Sequence, residues 1–212
     1  MYTVPMRAVN QHAEQETHYR LKSPLLFGVL QALEPETRVE VLDLAPANAD
    51  LLDYFSQYHC KLHLPGCRDE LLTLGMTDDE ANRPLPREFN RLIPLQNGGT
   101  STLDIVLLWD LPNYLDKQVL SALITYLTPH VTNHTVLHTY IHTRQTMPEQ
   151  PGDYRLSLEN NVLVDMPAIG NASSPMYYQE LLHKVFAPFR VKRGMLLANG
   201  LQEYILSCST PT

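Results

Sequence analysis

Residues 39–50 read VEVLDLAPANAD: a short apolar run, an acidic residue at its end, a turn of small residues, and then an amphipathic segment led by Leu51, Leu52, Tyr54 and Phe55. A strand–turn–helix unit of this kind opens the doubly wound αβ folds, which bind ligands where the strand's carboxyl end meets a helix N-terminus. Small turn residues allow the backbone to approach such a ligand closely. The rest of the chain can be placed outward from this unit.

Upstream, Ser23 and Pro24 read as an N-cap and a first-turn proline, with Leu25, Leu26, Val29, Leu30 and Leu33 on one helical face. Residues 1–22 are polar and weakly periodic and are read as an N-terminal arm or irregular helix. Downstream, residues 60–64 form a second expected strand. The segment MTDDEANRPLPREFN is expected to be a surface connection, residues 91–95 a third strand, and Gly98 with Gly99 a turn. Residues 103–109, LDIVLLW, are a continuous apolar run of the kind found in central parallel strands. Leu115, Val119, Leu120, Leu123 and Leu127 then recur at helical spacing, and residues 135–142 are rich in β-branched residues and predict a strand.

Residues 145–174 carry interior prolines and many polar residues, which predicts an insertion or lid. A last helix is expected after Ser174 and Pro175. Residues 189–197 and 202–208 are extended runs joined through Asn199 and Gly200, a strong hairpin signal. The pattern predicts an α/β protein of three-layer αβα architecture, with residues 23–212 as one domain.

Composition agrees with that class. A chain of 212 residues suits one domain of up to ~200 residues or so, and 44% hydrophobic with 18% charged residues fits a packed core. The net charge of -7 argues against nucleic acid as a partner, because broad phosphate contact needs a basic face. Arg190, Lys192 and Arg193, the one basic cluster, read as a solvated strand edge. No stretch reaches the ~18 apolar residues of a membrane span, and the first residues lack the apolar core of a secretory signal, so no membrane role and a cytoplasmic location are expected. Cys60, Cys67 and Cys208 are too scattered for a disulfide framework or a paired zinc motif.

His130, His134, His138 and His142 recur every four residues, as metal ligands on a helix would. In an extended segment, however, His138 and His142 stand roughly 13 Å apart, too far to share one ion. No metal is expected. His138 could face the ligand crevice, or be a buried polar histidine. Trp109, at the end of the most apolar run, suits either core packing or a pocket wall.

The order of these elements resembles the class I S-adenosylmethionine-dependent methyltransferases, from about Val39 to Cys208. The turn after the first strand is similar to that family's acidic-x-Gly-x-Gly-x-Gly pattern, with Asp43 in the acidic place and Ala45, Ala47 and Ala49 in the three glycine places. LDIVLLWDLPNYLD looks like the stretch where substrate and cofactor meet, and FRVKRGMLLANGLQEYILS looks like the terminal hairpin. The resemblance implies a mostly parallel seven-stranded sheet with an antiparallel C-terminal hairpin. It also implies a cofactor pocket at Asp43, Ala45, Ala47, Trp109 and Asp110.

Three alanines alter that pocket. A residue other than glycine forced to positive φ costs roughly 1–2 kcal/mol, and each methyl occupies space beside the ligand. The family's ribose-binding acid falls near Pro65, Gly66 and Cys67, none of which offers a carboxylate; Asp69 lies further on. The leading expectation is a methyltransferase-like protein that has lost catalysis, needs no cofactor, and acts as a binding or regulatory scaffold for a protein partner or a second copy. The alternative is an active S-adenosylmethionine-dependent methyltransferase on a small molecule or protein side chain, with Asp110 or His138 as a general base. A different nucleotide-like ligand in the same place is a third reading.

Overall fold

The computed structural model describes residues 17–74, 85–95, 102–166 and 170–208. In chain order the elements are β1 (Thr17–Leu21), α1 (Pro24–Leu30), β2 (Val39–Asp43), α2 (Ala49–Phe55), β3 (Cys60–His63), α3 (Arg68–Thr73), α4 (Leu85–Leu92), β4 (Leu103–Trp109), α5 (Lys117–Leu127) and β5 (Val131–His142). They are followed by β6 (Thr146–Pro148), β7 (Asp153–Ser157), β8 (Asn161–Met166), β9 (Asn171–Ser173), α6 (Gln179–Val185), β10 (Phe189–Leu196) and β11 (Leu201–Cys208).

The central sheet has the order β10-β11-β5-β4-β2-β3. Strands β3, β2, β4 and β5 are parallel, and β11 runs antiparallel between β5 and β10. The sheet is therefore mixed and mostly parallel, and ends in an antiparallel hairpin. Chain direction across it reverses between β2 and β4, so the carboxyl ends of these two strands flank the switch point where doubly wound sheets form a crevice.

Alternation along β4 divides the core between the two faces. Val106 and Leu108 face α3 to α6 through Leu71, Phe89, Leu123 and Phe186. Ile105, Leu107 and Trp109 face α1 and α2 through Leu26, Tyr54 and Phe55, together with β7 and β8 through Tyr154, Leu156 and Val164. Asn48 caps α2 by accepting from Leu51 N–H, and Asp116 caps α5 by accepting from Gln118 N–H. The hairpin closes where Gly200 takes φ +87°, a conformation that a side chain would oppose.

Three sequence expectations change. The sheet has six strands, not seven, among the described residues: residues 91–95 finish α4 and the turn behind it. Ile93 N–H bonds the Phe89 carbonyl, Phe89 and Leu92 fall on one helical face, and Pro94 has no N–H for a ladder. Part of the expected surface connection is therefore helix, while Gly98 and Gly99 lie outside the described residues.

The second change concerns residues 17–21, which are a strand rather than arm or helix. Thr17 to Leu21 pair antiparallel with Met166 to Val162, and β8 pairs in turn with β7. The third concerns residues 145–174. Their described residues hold four strands, of which β7 and β8 bury Tyr154, Leu156, Val162 and Val164 against the central sheet. The insertion is thus a core layer, completed by the N-terminal strand.

Candidate functional site at the sheet crossover

Four of the residues singled out at the crevice are brought together, and all four are enclosed. Asp43, Ala45, Trp109 and Asp110 are exposed by only 1%, 4%, 2% and 1%. Asp43 ends β2, and its Oδ1 accepts from Ala45 N–H at 2.8 Å and from the Trp109 indole N–H at 2.7 Å. Trp109 reaches it because its own backbone leaves β4 at φ +51°, where the β4–β5 register shifts. That left-handed conformation costs a non-glycine residue roughly 1–2 kcal/mol, and the bond to Asp43 and the packing of the indole hold it.

Across the crevice comes the inserted layer. Tyr154 stacks on Trp109 with ring centroids 5.1 Å apart and an interplanar angle of 8°, and lies 5.5 Å from Tyr140. Asp110 Oδ2 accepts the Gly152 N–H at 3.1 Å, two residues before that ring. The Asn48 amide donates to the Tyr154 carbonyl, and Arg155 pairs with Asp50 at 2.9 Å and with Asp165 at 2.7 Å. Strand β7 is therefore clamped to the turn and the first residues of α2.

The alanine turn behaves differently from the expectation. Among the described residues only Trp109, Asn160 and Met176 of the non-glycine positions have positive φ, so Ala45, Ala47 and Ala49 sit in ordinary backbone without strain. Ala45 packs its methyl into the core, whereas Ala47 and Ala49 are exposed. One methyl enters the core, and the inserted Tyr154 ring stacks on the indole at the crevice. Strand β3 ends at His63 in register with Leu42, so no carboxylate stands at its end; Asp69 is on α3, paired with Arg68 at 3.4 Å and turned to solvent.

The electrostatics follow from enclosure. Burial raises the Asp43 carboxyl to about 6, with Ala45 N–H and Trp109 opposing it. Burial likewise pushes Asp110 up to about 7, against the Gly152 amide, the Tyr154 hydroxyl and Arg68. Asp43 Oδ2 has no hydrogen-bond partner among the described residues. Asp110 also turns the chain into a short helical segment, Leu111–Asn113, in which Asn113 donates to the Asp110 and Tyr140 carbonyls.

A second buried network lies behind the aromatic stack, and only part of it was readable in the sequence. Glu203 on β11 accepts from Ser23 Oγ–H and from Leu25 and Leu26 N–H at the start of α1, and meets His138 Nε2 at 3.3 Å. The Tyr140 hydroxyl donates to Ser23 Oγ at 2.7 Å. Ser23 is thus not the side-chain cap that the sequence predicts: Glu203 satisfies the helix N–H groups instead. Burial pushes Glu203 up, but His138, Ser23 and Leu26 outweigh it and hold the carboxyl below its usual range. His138 is fully buried, and that burial lowers it despite Glu203.

His138 therefore lies beneath the crevice, edge-on to Tyr140 at 4.7 Å and to Trp109 at 5.8 Å. Tyr154, Tyr140 and Glu203 were not among the expected site residues; a lone tyrosine in a polar insertion gives no signal of where it will land. Among the described residues no group of three or more His, Cys, Asp or Glu could hold a metal ion. No helix among them is long and apolar enough to cross a membrane.

Tyr154 covers the indole, and Asp43, the Ala45 amide and the indole are bonded to each other.

No protein-family model and no curated protein matches the sequence. The structure is similar over most of the chain to many solved S-adenosylmethionine-dependent methyltransferases. One, from Clostridium acetobutylicum, is 11% identical with a TM-score of 0.47 over 88% of this chain and 89% of its own. The glycopeptide N-methyltransferase MtfA, solved with S-adenosylmethionine, is 11% identical with a TM-score of 0.47 over 96% of this chain and 100% of its own. The pyocyanin biosynthetic protein PhzM is 14% identical with a TM-score of 0.45 over 85% of this chain, which spans only 53% of PhzM.

Proposed function

We propose that this protein is a methyltransferase-like scaffold that does not transfer methyl groups, its ancestral crevice being closed by its own inserted strand. The observation that carries the reading is the stack of Tyr154 on Trp109, with Trp109 bonded to Asp43 and the Gly152 amide bonded to Asp110. A cofactor entering at the carboxyl ends of β2 and β4 would have to displace a buried aromatic ring and break bonds to two buried carboxyls. The missing acid at the end of β3 supports the same reading.

The role that remains is binding. Leu158 on the β7–β8 turn, Met176 and Tyr178 ahead of α6, and Met195 and Leu196 on the edge strand β10 are exposed apolar side chains. They lie on or beside the insertion and the final hairpin, the surfaces proposed to meet a protein partner or a second copy. One observation favours the alternative of an active S-adenosylmethionine-dependent enzyme. The unpartnered, buried Asp43 Oδ2 is an acceptor that a ligand could satisfy if Tyr154 swung out.

Titration with S-adenosylmethionine and S-adenosylhomocysteine by calorimetry separates the two. The scaffold reading expects no heat of binding up to about millimolar ligand, and a Kd in the ~1–100 μM range would refute it. Ala45→Gly with Ala47→Gly is expected to leave that result unchanged, because the ring and not the turn closes the crevice.

A further inference from the structure

A second cleft, with a volume of about 330 Å³, has Tyr154 among its lining residues. It is bounded by Tyr19 of β1, His142 at the end of β5, Met147 of β6, Asn171 of β9 and Asn199 in the β10–β11 turn. Its size is at the lower end of the ~300–1,000 Å³ of small-molecule sites. Three widely separated parts of the chain, residues 19, 142–171 and 199–201, contribute to its lining.

The lining is divided by chemistry. Met147, Tyr154 and Leu201 are buried and apolar or aromatic, whereas Arg144, Asn171 and Asn199 are exposed and polar. Among the described residues, no hydrogen bond or ion pair engages the Arg144 guanidinium; its Nε lies beside Gly200, where a Cβ would come within 2.9 Å of it. Glycine at 200 therefore leaves the guanidinium the space in which it rests at the cleft. In the wall, His142 Nε2 is buried without a hydrogen-bond partner among the described residues, as is the hydroxyl of Tyr114, which meets the imidazole edge-on at 6.4 Å.

Burial pushes His142 down to about 4, so at neutral pH the ring is uncharged and Nε2 can give or take one hydrogen bond. Among the described residues, Arg144 is then the single cationic side chain of the lining. One planar guanidinium above an apolar floor matches a planar carboxylate with a hydrocarbon body. The guanidinium fork pairs with carboxylate and phosphate alike, and the apolar floor beneath it favours the anion that carries a hydrocarbon body.

We propose that this cleft is a binding site for a small monoanionic carboxylate, its charge held by Arg144 between the Asn171 and Asn199 amides and its apolar body against Met147, Tyr154 and Leu201. The cleft shares Tyr154 with the crevice, but its polar rim of Arg144, Asn171 and Asn199 is distinct from the crevice residues.

The test is an NMR titration of the ¹⁵N-labelled full chain with benzoate, with the uncharged isostere benzamide in parallel. Benzoate is expected to give saturable shifts at the Arg144 Nε–H and the Asn171 and Asn199 side-chain amides, with a Kd of about 1 mM or tighter, and benzamide to bind at least ~10-fold more weakly. Arg144→Met, which keeps an apolar stem at an exposed position, is expected to weaken benzoate at least ~10-fold with the rest of the spectrum unchanged. No saturable shift with either benzoate or hexanoate at about 10 mM overturns the proposal, as does equal binding of benzamide or undiminished binding to Arg144→Met. Displacement of benzoate by inorganic phosphate at lower concentration overturns the assignment to carboxylates.

Discussion

Replacing Tyr154 with alanine probes the closure of the crevice directly. The ring is 1% exposed and stacks on Trp109 and Tyr140, so its removal leaves a cavity between three elements. Truncating a buried aromatic costs about 3–5 kcal/mol, and loss of the stacked geometry alone accounts for ~0.5–1.5 kcal/mol of that. With a urea m-value of about 2 kcal/mol/M, the unfolding midpoint should fall by about 2 M. Because Trp109 is the sole tryptophan, its emission reports the crevice without labelling. In Tyr154→Ala the folded-state emission should shift to the red as water reaches the indole, and S-adenosylhomocysteine should perturb it where the wild type shows no response. A loss of stability below ~1 kcal/mol together with unchanged emission would refute the stack, and with it the reading that β7 closes the crevice.

Asp110 should make stability fall as pH rises. Its folded carboxyl is raised to about 7 from 3.8, so the folded state binds the extra proton; the contribution is full below about pH 4 and lost as pH rises through 7. At ~1.4 kcal/mol per pH unit this amounts to a few kcal/mol, and Asp110→Asn should therefore gain on the wild type between pH 5 and 8 in urea titrations. A constant difference across that range would contradict it. Glu203→Ala should cost about 3–5 kcal/mol, because Ser23, the first α1 amides and His138 lose a buried acceptor together; loss of hydrogen-exchange protection at Leu25 and Leu26 would locate the damage. Trp109→Phe removes the donor to Asp43 and should cost about 1–3 kcal/mol in thermal unfolding. Cys60 and Cys67, both pushed up to about 11 by burial, should resist a thiol reagent at about pH 8 until denaturant is added.

Much of the architecture was legible because its signals are local. The apolar run of β4, the helical spacing in α5, and Asn199 with Gly200 in the hairpin each act within a few residues. The convergence of Asp43, Trp109 and Asp110 was legible too, since strand order alone brings the ends of β2 and β4 together. Failures came where pairing is distant. Strand β1 exists because β8, over 140 residues away, offers it a ladder, and no local pattern in THYRL announces that. The helix at Leu85–Leu92 was mistaken for loop and strand because prolines and charges dominate a segment whose burial rests on Phe89 and Leu92.

The sequence by itself determined the layered αβ frame and the place of its crevice, because hydrophobic periodicity and turn chemistry act along the chain. Only the tertiary structure decided what occupies that place. An alanine turn in ordinary backbone, an indole turned onto Asp43 and a tyrosine delivered from residue 154 meet through space, where sequence distance carries no weight and burial free energy selects the partner.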